Sequence, residues 1–249
     1  MKAVILAGGL GTRLKPLTEA IPKPLLPIGE QSLLEIQIAR LRQHGFDEIY
    51  LATNYKSEYI SSFFGDGSRY GVKLVISRES RPLSTAGPLA LLKDELQEPF
   101  ISMNGDILST IDFERFYQFA LNTGADLTVA IKEIITPYDF GQIFYEGDFV
   151  TAVQEKPDIV MEVLAGMYVM TPRIFEIIPE DTYYGMDKLI QDMLASKRPV
   201  AKYSMDEYWL DIGQLPDYHR AQADYVTYFS SNNGNDHETG VQAGRPAPQ

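Results

Sequence analysis

Ala3-Val4-Ile5-Leu6-Ala7-Gly8-Gly9-Leu10-Gly11-Thr12-Arg13 is the stretch that decides the fold of this chain. Ala3 to Leu6 are apolar without interruption, the mark of a strand covered on both faces. Gly8, Gly9 and Gly11 follow at once, so the strand must run into a tightly turning loop. Outward from it, Leu34, Ile38 and Leu41 fall on one helical face that Gly45 ends. The spacing predicts a strand over Glu48–Thr53, a helix over Lys56–Phe64, a strand over Val72–Ser77 and a helix over Leu89–Leu96. A further strand, Phe100–Met103, leads into Asn104-Gly105-Asp106. Short strands alternating with helices predict βαβ units on a mostly parallel sheet, an α/β fold.

After a helix over Phe113–Leu121 the rhythm changes. Leu127–Lys132 reads as a strand, and Gly141–Tyr145 with Phe149–Glu155 flank the hairpin turn Glu146-Gly147-Asp148. Val163–Met170 is a further strand, and Met186–Leu194 and Gln214–Tyr225 are closing helices. This half reads as a more mixed lobe on the same sheet. Residues 230–249 are rich in Ser, Asn, Gly and Pro and are expected to be a disordered tail.

The 249 residues, 45% hydrophobic, suffice for the core of one large domain. Against 34 Asp and Glu stand 22 Lys and Arg, a net charge of -12 that disfavours a nucleic-acid partner. Any phosphorylated ligand must therefore be met by local cations. The absence of Cys excludes disulfides and thiolate metal sites. The first apolar run is too short for a signal peptide or a membrane span, so a cytoplasmic protein without a membrane partner is expected.

Glycines directly after a strand let backbone N–H groups close on a phosphate. Arg13 suits forked contacts to phosphate oxygens, and Lys23, stiffened between Pro22 and Pro24, supplies a point charge. A P-loop is excluded, because Thr12-Arg13 follows Gly11 where Gly-Lys-Ser/Thr is needed. The dinucleotide fingerprint fails at Leu14, where it needs a third glycine. Asp106 ends a strand at the carboxyl edge where α/β sheets bind ligands, and Trp209-Leu210-Asp211-Ile212-Gly213 sets a second Asp between a strand and a turn. Mg²⁺ is commonly held by one or two carboxylates plus substrate phosphates. Each Asp taken alone is more often a turn or N-cap residue. His44, His219 and His237 are isolated and form no competing cluster.

The run from Gly8 to Pro24 resembles the signature of the sugar-1-phosphate nucleotidyltransferases, and the likeness extends from Met1 to about Ala223. It implies a Rossmann-like mixed, mostly parallel sheet flanked by helices in a single domain. That domain is expected over 1–229, with a nucleotide-binding part at 1–123 and a sugar-binding lobe at 124–229. The implied reaction joins an NTP to a sugar 1-phosphate and releases pyrophosphate. Leu6, Ala7, Gly8, Gly9, Gly11 and Thr12 would then wrap the nucleotide, Arg13 would bind its triphosphate, and Lys23 would meet charge at the reacting phosphates. Asp106 and Asp211 resemble the family's two Mg²⁺-binding positions, which makes Arg13, Lys23 and Asp106 the catalytic set. Ser84-Thr85-Ala86-Gly87-Pro88-Leu89 resembles the segment meeting base and ribose, which adds Thr85, Ala86, Gly87 and Asn104 to the nucleotide contacts. Ser84 stands where the family often has glycine.

On the sugar side, Gln154-Glu155-Lys156-Pro157 and Leu164-Ala165-Gly166-Met167-Tyr168 resemble the sugar-binding segments, which implies Glu155, Lys156 and Gly166 as contacts. Gly141 resembles a further sugar-facing turn, with Phe140 where the family more often has Tyr. The segment at Ser84 is most similar to that of mannose- or heptose-1-phosphate guanylyltransferases, so GTP is the expected nucleotide. At this length the C-terminal β-helix or acyltransferase domain of many members is expected to be absent, and a homo-oligomer is compatible with the likeness. Two rivals stay open: a metal-dependent glycosyltransferase, whose usual Asp-x-Asp is missing at Asp106-Ile107-Leu108, and a non-catalytic regulatory subunit, which would be expected to have lost Arg13, Lys23 or an Asp.

Overall fold

The computed structural model describes residues 1–54 and 56–230. The tail expected from residue 230 lies, from residue 231 on, outside the described residues, as does His237. From β1 (Lys2–Leu6) the chain passes through the glycine loop and the short α1 (Leu17–Ala20) to a small antiparallel pair, β2 (Pro27–Ile28) and β3 (Gln31–Ser32). α2 (Leu33–Gln43) starts on a reciprocal cap. The Ser32 hydroxyl accepts from the Glu35 N–H at 3.2 Å, and the Glu35 carboxylate accepts from the Ser32 N–H at 2.7 Å. β4 (Glu48–Thr53), α3 (Ser57–Phe64), β5 (Lys73–Arg78), α4 (Gly87–Ala90), β6 (Phe100–Asn104), β7 (Ile107–Ser109) and α5 (Phe113–Thr123) follow. Asp112 caps α5, its carboxylate accepting from the Arg115 N–H at 2.9 Å.

The second half contributes β8 (Leu127–Pro137), the hairpin β9 (Gln142–Glu146) and β10 (Phe149–Gln154), and β11 (Asp158–Met170). It ends with α6 (Met186–Ala195), β12 (Val200–Met205), β13 (Trp209–Asp211) and α7 (Leu215–Tyr228). Both halves feed one seven-stranded sheet of order β12-β8-β11-β6-β1-β4-β5. All neighbours are parallel except β11, which runs antiparallel to both β6 and β8. The α/β expectation, one mostly parallel sheet flanked by helices, describes this architecture.

Side-chain alternation along β1 fills two layers. Ala3 and Ile5 pack with Leu34, Ile38 and Leu41 of α2 and with Phe113 and Phe116 of α5. Val4 packs on the other face with Leu89, Leu92 and Leu96 and with Leu189 and Met193 of α6. A third cluster joins Leu14, Leu108, Leu210 and Ile212 to Ala221 and Tyr225 of α7, so the segments bearing Arg13, Asp106 and Asp211 share one apolar floor.

The helix expected over Leu89–Leu96 is corrected. Only Gly87–Ala90 is α-helical. Beyond it Leu91, Leu92 and Lys93 donate to carbonyls three residues back, and the chain continues as tight turns. Leu89, Leu92 and Leu96 are buried all the same, because three-residue turns bring Leu89 and Leu92 to one side. The expected strands at 127–132 and 163–170 are longer than their apolar cores. Their outer ends pair with each other, Asp158 opposite Pro137 through Val163 opposite Lys132, beyond the sheet and largely exposed.

Candidate active site

β1 and β6 are parallel neighbours, with Leu6 opposite Asn104, so the glycine loop and the Asn104–Asp106 turn leave the sheet side by side. Gly105 donates its N–H to the Leu6 carbonyl at 2.9 Å, and a Cβ at Gly105 would stand 2.8 Å from that oxygen. This close backbone approach brings Asp106 beside the glycine loop. β13 pairs antiparallel with β7, Asp211 opposite Ile107, and the Ile212 N–H donates to the Asp106 carbonyl at 2.9 Å. Two Asp residues far apart in sequence thus become neighbours.

Lys23 Nζ lies 2.7 Å from Asp106 Oδ2, and the lysine is only 9% exposed. Gly11, at φ 61°, has no room for a Cβ, which would meet Thr18 Cγ2 at 2.8 Å and Lys23 Cβ at 3.3 Å. The Thr18 hydroxyl closes the turn by donating to the Gly11 carbonyl at 2.8 Å. Arg13 and Thr12 are exposed, and the Arg13 guanidinium comes close to Gly213, just beyond Asp211.

Asp211 is exposed, yet neighbouring groups crowd its surroundings. Loss of hydration is the largest cause raising its pKa above the ordinary carboxylate value, and the Asp106 charge adds to it. Lys23 and Arg13 pull in the opposite direction. Two carboxylates and two cations therefore share one electrostatic neighbourhood. Among the described residues no group of three or more His, Cys, Asp or Glu could hold a metal ion. The pair fits Mg²⁺ better than a fully protein-ligated ion, since Mg²⁺ keeps waters and takes phosphate oxygens beside one or two carboxylates. The repulsion raising Asp211 is the kind a divalent cation would relieve.

The remaining expected contacts divide into four groups. Leu6 ends β1, Ala7 donates its N–H to the Ala52 carbonyl at 2.8 Å, and a Cβ on Gly9 would meet nothing within 4 Å, so the loop's outer surface is open. Gly166 sits in β11 at φ 70°, and a Cβ there would be 2.7 Å from Asn104 Nδ2, so it adjoins the Asn104 turn. Thr85, Ala86 and Gly87 are bound to the segment before α6. The Thr85 hydroxyl accepts from the Met186 N–H at 2.8 Å, and Ala86 and Gly87 donate to the Tyr184 carbonyl. Gly141 and Glu155 meet at the base of the hairpin, where a Cβ on Gly141 would be 3.1 Å from Glu155 Oε2. Gly141, Glu155 and Lys156 are all exposed, and no hydrogen bond or ion pair among the described residues ties the Glu155 or Lys156 side chain to the Asp106 cluster.

Two residues were missed in the sequence. Glu79 follows β5, and its Oε1 would be 2.7 Å from a Cβ on Gly8, so its carboxylate leans over the glycine loop. Its Oε2 accepts from the Leu83 N–H at 2.8 Å, and burial raises its pKa. No periodicity marks it. Gln37 is 3% exposed among the apolar residues of α2, and a polar residue between Leu34 and Leu41 was a readable signal.

A glycine loop at the carboxyl edge of a mostly parallel sheet, faced by paired carboxylates, defines an α/β protein with its candidate site at the strand ends. The chain belongs to the nucleotidyl transferase family, whose model matches residues 2–227. It is 35% identical over 227 residues to a probable mannose-1-phosphate guanylyltransferase 1 of Oryza sativa subsp. japonica, covering 88% of this chain and 63% of the relative. It is 33% identical over 242 residues to a UTP–glucose-1-phosphate uridylyltransferase of Synechocystis, covering 89% and 62%. The chain thus spans somewhat less than two thirds of the length of these relatives. The crystal structure of HddC from Yersinia pseudotuberculosis superposes with a TM-score of 0.71 at 27% identity, covering 90% of this chain and 99% of that one. A second structure of that protein, complexed with GMP-PN, gives 0.70. No helix among the described residues is long and apolar enough to cross a membrane.

Proposed function

We propose that this chain transfers a nucleotidyl group from an NTP to a sugar 1-phosphate, giving a nucleotide sugar and pyrophosphate. The observation carrying this reading is the cluster of Arg13, Lys23, Asp106 and Asp211 beside the glycine loop. A phosphate oxygen of the sugar 1-phosphate attacks the α-phosphorus. The bond from that phosphorus to the bridging oxygen breaks, and the electron pair leaves with pyrophosphate. The nucleophile is already ionised near neutral pH, so the site needs no general base, and catalysis rests on holding two anions in line and neutralising charge. The open loop N–H groups and Arg13 suit the triphosphate, and Lys23 suits charge growing on the leaving oxygens. Asp106 and Asp211 would hold Mg²⁺, which supplies charge neutralisation on the phosphates when bound. Gly166 is suited to backbone contact with the sugar, and Glu155 and Lys156, at the hairpin base, to its hydroxyls and phosphate.

GTP is the nucleotide we favour. A carboxylate over the glycine loop repels phosphate, which supports assigning Glu79 to the base. Guanine offers two adjacent donors, N1–H and N2–H₂, that two carboxylate oxygens accept together. Uracil and thymine set one donor between two carbonyls, and a carboxylate repels both. The similarity to guanylyltransferases agrees with this preference. A mannose- or heptose-type phosphate is the favoured partner, and the cytoplasm is the favoured compartment. The test is pyrophosphate release across a panel of NTPs crossed with sugar 1-phosphates. Release with GTP and a hexose or heptose 1-phosphate is expected. No release with any pair, alongside sugar transfer from a nucleotide sugar to an acceptor, would overturn the reading in favour of a glycosyltransferase.

A further inference from the structure

We propose that Gln37 is a positioning residue for Asp106, an inference that rests on the function just stated. Its Nε2 donates to two carbonyls at once, Asn104 at 3.1 Å and Ile107 at 2.8 Å, the residues that bracket the Gly105-Asp106 step. The amide orientation is fixed, because the reversed amide would press an oxygen against both carbonyls. Its other atom, Oε1, is buried without a partner. A helix built only for packing would set an apolar residue here, as it does at Leu33, Leu34, Ile36, Ile38 and Leu41. The fold tolerates an orphaned buried oxygen and gains two donors aimed at one turn.

The other contacts of that turn show why it needs them. Gly105 gives its N–H to Leu6, and Asp106 receives the Ile212 N–H on its own carbonyl. Those two bonds tie the turn to β1 and to the strand bearing Asp211. The Asn104 and Ile107 carbonyls are held from below by Gln37. With all four backbone groups fixed, the Asp106 Cα–Cβ bond is aimed, and its carboxylate meets Lys23 at 2.7 Å. Without Gln37 the turn could tilt about its outer bonds, and the carboxylate would lose its setting relative to Lys23 and Asp211. Arg40, one turn along α2, donates to the Thr110 and Ile111 carbonyls and supports the same segment farther from Asp106, which makes it the natural control.

The test compares Gln37→Met, close in volume but without donors, with Arg40→Met and wild type. The readouts are Tm, kcat, both KM values, and Mn²⁺ affinity by titration with the nucleotide present and the sugar phosphate absent. Gln37→Met is expected to lower kcat and weaken Mn²⁺ binding by about tenfold or more, as loss of groups orienting metal ligands does, with both KM values within about threefold. Arg40→Met is expected to lower Tm by a comparable amount with kcat and Mn²⁺ affinity within about twofold. Equal losses of kcat in the two variants, or an unchanged Mn²⁺ affinity in Gln37→Met, would overturn the proposal. Gln37→Glu decides if the Met variant does not fold. Its carboxyl donates one hydrogen bond when protonated and repels both carbonyls when ionised, so its kcat relative to wild type should rise as pH falls from about 8 to 6. A flat ratio counts against Gln37. Wild type that neither binds Mn²⁺ nor releases pyrophosphate would instead refute the proposed function itself.

Discussion

Lys23 and Asp106, 83 positions apart in sequence, meet in an ion pair of 2.7 Å at the edge of the central sheet. The two ends are unequal, with the lysine side chain 10% exposed and the carboxylate 28%. On the proposed function, arriving phosphates would compete with Asp106 for Lys23.

Lys23→Met should therefore lower kcat by roughly 10²-fold or more, as expected for loss of a group that meets transition-state charge. The stability loss should stay well below the about 3–5 kcal/mol typical of breaking a fully buried pair, because Asp106 keeps some water. The double variant Lys23→Met/Asp106→Asn should recover thermal stability and remain inactive. Melting curves and steady-state kinetics on both variants and wild type check both halves, and a double variant with restored turnover would contradict the role given to the pair.

Asp211→Asn should trade activity for stability. Burial and the Asp106 charge raise the Asp211 pKa in the folded chain above its ordinary value. A carboxyl raised in this way contributes stability only where it is protonated, below its unfolded pKa, and that contribution is lost as pH rises through the folded value. At pH 7 the ionised group therefore opposes folding. In Mg²⁺-free buffer the Asn variant should melt higher than wild type at pH 7, with the gain disappearing below about pH 4. Its turnover should fall by roughly 10²-fold or more. A lower Tm for Asp211→Asn at pH 7 would count against this electrostatic account.

Glu79→Gln should relax the choice of base. A hydrogen bond to a charged group is worth about 1.5–3 kcal/mol, so kcat/KM for GTP should fall by roughly 10- to 10²-fold. The amide can accept from N3–H of a pyrimidine and donate to a flanking carbonyl, so UTP should lose less or gain. The measurement is the GTP-to-UTP ratio of kcat/KM before and after the substitution; an unchanged ratio would remove Glu79 from base recognition.

Ser84→Gly tests a departure from the family pattern. Ser84 holds φ 67°, a left-handed conformation that glycine adopts freely and a residue with a Cβ enters at about 1–2 kcal/mol. Glycine's extra freedom in the unfolded chain offsets part of that gain, so the variant should be more stable by up to about 1 kcal/mol. Urea unfolding of both proteins measures it, and a less stable variant would mean that the serine side chain has a compensating contact.

The strand Ala3–Leu6 and the glycines after it were legible because burial on both faces leaves an unbroken apolar run. The hairpin at Glu146–Asp148 was legible from its turn chemistry. Lys23, Asp106 and Asp211 could be nominated singly, but their meeting depends on sheet order and on the β7–β13 pairing, which no local pattern encodes. Glu79 was missed because a single acidic residue after a strand is indistinguishable from a solvent-facing one until Gly8 is seen against it. The Leu89–Leu96 segment was misread because leucines three residues apart satisfy tight turns and a helix alike.

β11 runs against β6 and β8, so its first residues lie at the carboxyl ends of its neighbours and continue past them. Met167 is level with Met103, the register against β8 slips around Gly166, and the fully buried Ala165 marks the last point supported by the core. Everything from Asp158 to Leu164 is carried, with β8 and the hairpin, as a ribbon standing above the same edge that holds Asp106. Its height is independent of the packed layers beneath. One residue added to each of its two strands lengthens it by about 3.4 Å without altering a contact in the core. The molecule thereby separates two design variables. On the proposed function, the chemistry would be anchored in the sheet, and the room above it would be set by a scaffold that can grow or shrink without refolding the rest.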